Sequence, residues 1–86
     1  MSMAPQELEK SASKYAAAAI RADSQGAAGM AITDYQNASE TLLKLIRLYP
    51  TSSLNKIYKQ SYQKYQERIQ ALRDSNGGNI APAVDP

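Results

Sequence analysis

An all-α fold, an antiparallel up-down-up bundle of three helices with the first and third parallel, is what this 86-residue sequence predicts. Three observations predict it. Apolar residues recur three and four apart in three long segments, the spacing of one helix face. The breaks between those segments carry glycine or proline, which end helices and turn the chain. Connections of about two to five residues then leave each helix an antiparallel neighbour. No alternating strand pattern competes.

The first helix starts at Pro5, whose missing N–H costs nothing in a first turn, and Glu7 and Glu9 suit the positive end of its dipole. Leu8, Ala12, Tyr15, Ala19 and Ala22 form its expected core stripe, with Ala16 and Ile20 beside it. Gln25 and Gly26 close the segment. The second stripe is Ala31, Tyr35, Ala38, Leu42, Leu45 and Tyr49, widened by Ile32, Leu43 and Ile46. Pro50 stops that helix, because proline disfavours helical geometry in the residue before it. Thr51, Ser52 and Ser53 offer N-cap oxygens to a third helix. Its stripe is Leu54, Ile57, Tyr58, Ser61, Tyr62, Tyr65, Ile69 and Leu72. At about 20 residues each, the helices reach roughly 30 Å.

The predicted organisation is a short disordered N-terminus over 1–4, a bundle over 5–73 and a flexible linker over 74–86. Gly77, Gly78, Pro82 and Pro86 give that last stretch its linker character. No apolar run approaches the ~20 residues of a membrane helix. The start has neither the charged nor the apolar region of a secretory signal, which makes the cytoplasm the expected location.

Composition narrows the chemistry. Cysteine and histidine are both absent, which removes disulfides, the commonest metal ligands and the commonest general base. No phosphate-binding glycine loop follows a strand, and Asp23 and Asp34 across a turn are no catalytic pair. The sequence therefore points to a binding module with no metal, no cofactor and no catalytic residues. Six tyrosines supply aromatic bulk to the core stripes in place of phenylalanine and tryptophan. The net charge of +2 is uneven. Residues 1–50 are neutral, residues 51–73 carry Lys56, Lys59, Lys64, Arg68 and Arg73 against Glu67, and Asp74 and Asp85 follow. A basic third helix suits an acidic partner, or in an alternative reading nucleic acid or an anionic membrane.

The run Ala19–Gly26, with Ala22 and Asp23, followed by Ala31, Ile32, Tyr35 and Ala38, resembles the helix-turn-helix shared by tetratricopeptide repeats and MIT (microtubule interacting and transport) domains. Helix length favours the second, with a single tetratricopeptide-like unit as the alternative reading. A tetratricopeptide unit repeats every ~34 residues, whereas here the second helix runs on to Leu48, Tyr49 and Pro50, and one long third helix follows without a second copy. With Lys14, Tyr15 and Ala16, and with Tyr65, Arg68 and Ile69, the chain looks most like the MIT domains at the N-terminus of archaeal AAA-type ATPases. The likeness covers roughly residues 8–73. Positions 17, 18 and 27–29 are smaller than in such relatives.

The resemblance implies recruitment. MIT domains bind short C-terminal motifs of ESCRT-III-type filament subunits and deliver an ATPase to the polymer, in membrane remodelling or cell division. They take extended, proline-containing motifs between the first and third helices, and helical motifs between the second and third. In this chain the first groove is the more inviting: Ser13, Ala16, Ala17 and Ile20 on one side, Ser61, Tyr62, Lys64, Tyr65, Arg68 and Ile69 on the other. Lys64 and Arg68 would face acidic peptide residues. The alternative groove would use Leu43, Ile46, Arg47 and Tyr58. The expected partner is the tail of an ESCRT-III-like filament protein, with no nucleic acid, and the expected state is a monomeric domain within an oligomeric protein.

Overall fold

In a computed structural model, which describes the backbone of residues 4–84 and the side chains of residues 4–75, the chain forms three helices. They are α1 (Pro5–Ser24), α2 (Ala28–Leu48) and α3 (Asn55–Val84), with no strand among the described residues. α1 opens on Pro5. The Ala4 N–H donates to Glu7 Oε1 at 3.3 Å, so the acidic residue of the first turn satisfies a free amide. α1 closes in a Schellman motif: Gly26 takes φ +78°, Ala27 N donates to Ala22 O at 2.8 Å, and Gly26 N donates to Asp23 O at 3.1 Å. α2 ends where Tyr49 N donates to Leu45 O at 2.9 Å, one residue before Pro50.

The entry to α3 differs from expectation. The helix starts at Asn55, after the three hydroxyl residues. Ser52 Oγ accepts from Leu54 N at 3.2 Å, which builds a turn ahead of the helix instead of capping it. Asn55, almost fully buried, donates through Nδ2 to Tyr49 O at 2.8 Å and so ties the start of α3 to the end of α2. At its other end α3 reaches Val84, ten residues past Asp74, across much of the stretch whose composition reads as linker.

Two clusters make the core. One joins Ala19 and Ala22 of α1, Ala31 and Tyr35 of α2, and Ile69 and Leu72 of α3. The other joins Leu8 and Ala12, Leu42 and Leu45, and Tyr58. The start of α1 thus meets the end of α2 and the start of α3, so α1 is antiparallel to α2 and parallel to α3. This is the three-helix arrangement that the periodicity predicts. Ala19, Ala31 and Ala38 are completely buried; with no bulk between them α1 and α2 can lie close together.

The core stripes shift at three places. Tyr15 is 39% exposed, and Ala16 is buried beside it. Leu54 and Ile57, expected inside, are 43% and 56% exposed. Leu54 precedes the helix that starts at Asn55, and Ile57 lies about 100° round α3 from the buried Tyr58.

Candidate functional site

α2 packs against both other helices, but among the described residues no Cα of α1 lies within 8 Å of a Cα of α3. Long side chains span the gap instead. Tyr58 Oη donates to Glu9 Oε2 at 2.6 Å near the start of both helices. Farther along, Arg68 grips Asp23 side-on, with Nε to Oδ2 at 2.7 Å and Nη2 to Oδ1 at 2.8 Å. Tyr35 of α2 donates to the same Asp23 Oδ2 at 3.0 Å, so one carboxylate joins three helices. Tyr65, half-buried against both clusters, lies between these ties, its ring 5.6 Å from that of Tyr35.

The two ties identify which faces look at each other. On α1, Glu9, Ser13, Ala16, Ile20 and Asp23 are spaced four, three, four and three apart and form one stripe. On α3, the stripe through both ties is Tyr58, Ser61, Tyr65 and Arg68, with Ile57 and Lys64 along its outer edge. Between the ties, therefore, the helical spacing places Ser13, Ala16 and Ile20 along one side of the gap between α1 and α3 and Ser61 and Lys64 along the other. Ile20 (57% exposed) and Ile57 are its apolar edges. At the Glu9 end it meets a cavity of about 190 Å³ bounded by Pro5, Leu45, Tyr49, Leu54 and Tyr58.

Electrostatics follow from the ties. The Arg68 guanidinium, above all, holds the Asp23 carboxyl below its usual 3.8, with help from the Tyr35 hydroxyl and against the effect of partial burial. Asp23 in turn raises Arg68. Burial first, and the Glu9 carboxylate second, push the Tyr58 phenol up to about 12. Burial and then Asp23 raise Tyr35 as well. Lys64 is exposed and carries no hydrogen bond or ion pair among the described residues. It is the free cation beside this gap, while Arg68 is engaged from within.

Of the residues expected in this groove, Ser13, Ala16, Ile20, Ser61, Tyr65 and Arg68 fall on the two facing stripes, and Lys64 lies at the outer edge of the α3 stripe. Ala17 is exposed, three residues (about 60°) round the helix from Ile20. Ile69 is 3% exposed and belongs to the core. Tyr62 lies about 120° from Arg68 around α3 and packs with Ile46 and Tyr49 against the second cluster. In the alternative groove Leu43 and Ile46 are half-buried and Arg47 is exposed on α2. Tyr58 is buried and turned to Glu9 of α1. Ile57, Glu9 and Asp23 also border the gap without having been expected there; their signal in the sequence is the four-three spacing through Ser61 and through Ser13 and Ala16.

Cell division protein C of Sulfolobus acidocaldarius is 47% identical to this chain over 53 residues, or 62% of the chain and 14% of that protein. The chain is similar to part of a cell division protein. It spans 14% of the length of the curated relative it matches. No family model matches it. The match and the three-helix bundle are together consistent with an MIT-like domain. Among the described residues no helix is long and apolar enough to cross a membrane.

Proposed function

We propose that this chain is an MIT-type recruitment domain. It binds short C-terminal motifs of ESCRT-III-like filament subunits in the channel between α1 and α3. Through the residues after Asp74 it delivers an AAA-type ATPase to the polymer for disassembly during membrane remodelling or cell division. The similarity to Cell division protein C carries this reading, and the wider spacing of α1 from α3 supports the gap between them as the place for an extended segment.

The mechanism is passive recognition. A disordered tail settles between Ser13, Ala16, Ser61 and Lys64, places apolar side chains against Ile20 and Ile57, and offers a carboxylate to Lys64. Ordering the tail offsets part of the contact energy, which leaves micromolar-type affinity. Many domains on one oligomer meeting many tails on one filament then multiply weak single contacts. Binding of nucleic acid or an anionic membrane fits less well. The five cations of α3 are spread around the helix, with Lys64 and Arg68 toward α1 and Lys59 and Arg73 on the other side, and no single basic face forms.

Titration of a labelled filament-subunit tail tests the proposal. Ile20→Asp places a charge on an exposed channel edge and leaves the fold intact. It is expected to weaken tail binding roughly tenfold or more, about 1.4 kcal/mol. Tyr65 is unsuited to this test because it packs against both core clusters. Unchanged affinity in Ile20→Asp together with loss in Leu43→Asp would move the site to α2 and α3.

A further inference from the structure

We infer that the Arg68 guanidinium is a carboxylate-binding site already filled from within by Asp23, and that this contact masks one end of the α1/α3 channel from acidic ligands. The inference rests on the channel being a peptide site, and deepens that proposal by assigning the roles of its two cations. Arg68 presents Nε and Nη2 in the side-on geometry with which a guanidinium takes any carboxylate. Its side chain is 48% exposed, so the arginine is within reach of a ligand, whereas Asp23 is 16% exposed and pinned by the second hydrogen bond from Tyr35. Tyr35 is itself buried. The internal carboxylate is thus held in place and the arginine comes to it.

Competition favours the internal partner. An intramolecular group acts at an effective concentration on the order of millimolar or above, far over any micromolar tail. Lys64, one turn earlier on α3 and without a partner among the described residues, is left to read the ligand's carboxylate. Asp23 is therefore a positioning residue: by holding Arg68 it sets which end of the channel attracts negative charge. Removing the Asp23 charge while keeping an acceptor for Tyr35 should unmask a second cation and raise affinity, an effect that loss of a structural contact does not produce.

The test uses Asp23→Asn and the double variant Asp23→Asn/Arg68→Gln, with circular dichroism to check folding. The probes are a labelled tail of an ESCRT-III-like filament subunit, the same tail with its acidic residues changed to glutamine, and free tetraglutamate. Asp23→Asn should bind the acidic tail roughly fivefold tighter with a steeper salt dependence. The glutamine tail should show no gain, and the double variant should return to wild-type affinity. Weaker binding of the acidic tail to Asp23→Asn overturns the inference. A second arm follows the Arg68 Nε–H resonance with tetraglutamate. That resonance should stay fixed in the wild type and move in Asp23→Asn; movement in the wild type overturns the inference as well. If no tail binds the wild type, the recruitment proposal fails, while the tetraglutamate arm still decides whether Arg68 is masked.

Discussion

Replacing Tyr58 by phenylalanine isolates one of the two ties between α1 and α3. The side chain is 8% exposed and its hydroxyl donates to Glu9 at 2.6 Å. A hydrogen bond to a charged acceptor contributes about 1.5–3 kcal/mol. Glu9 is exposed and rehydrates when its partner is lost, so the low end, about 1.5 kcal/mol, applies near neutral pH. The pH dependence carries more information. The folded phenol titrates at about 12, against the ordinary 10.0 in the unfolded chain. Because the folded value is the higher, this stabilisation is complete below about pH 10 and is lost as pH rises toward about 12. Two units correspond to about 2.7 kcal/mol at 1.36 kcal/mol each. Phenylalanine has no such loss, and Tyr35, also raised, is present in both proteins and cancels. Urea unfolding of the two proteins from about pH 8 to 12 should show the wild-type advantage shrink above pH 10, vanish about one unit higher, and then reverse. Parallel stability curves across that range would refute the burial and pairing assigned to Tyr58.

Two further predictions concern the turn and the carboxylate node. Gly26→Ala should destabilise by about 1 kcal/mol and Gly29→Ala stabilise by about 0.5 kcal/mol, read as opposite shifts in thermal midpoint. A methyl group meets nothing within 4 Å at either position, so the left-handed φ of Gly26 alone decides the difference. The Asp23 carboxyl is held below its usual 3.8. Its contribution is present above about pH 4 and is lost as pH falls through that depressed value. Acid unfolding followed by circular dichroism should therefore show wild-type stability falling toward that of Asp23→Asn at the acid end. A constant difference between the two down to the lowest pH would contradict the tie.

Most of the fold was legible because its signals are local. Pro5, Gly26 and Pro50 mark helix ends whatever surrounds them, and the large apolar residues of α2 leave one choice of buried face. α1 was harder to place. Its alanines give a weak, broad stripe, and only contact with α2 and α3 decides that Ala16 is buried while Tyr15 stays outside. Leu54 and Ile57 look like core of the third helix, yet Leu54 falls in the turn before Asn55 and Ile57 lies about 100° round α3 from the buried Tyr58, so both stay exposed. The ties were less legible still. Glu9 reads as a helix-dipole charge and Asp23 as a turn carboxylate, because a bond between distant helices depends on the offset between them, which local spacing does not encode. The same offset turns Tyr58 toward α1 and away from the α2/α3 groove.

The most direct test of recruitment through the α1/α3 channel is an amide and side-chain NMR titration of the domain with an unlabelled tail of an ESCRT-III-like filament subunit. Saturating shifts should map to Ser13, Ala16, Ile20, Ile57, Ser61 and Lys64, with Leu43 and Arg47 unmoved. Shifts confined to the α2 face, or none at concentrations well above micromolar, would contradict it.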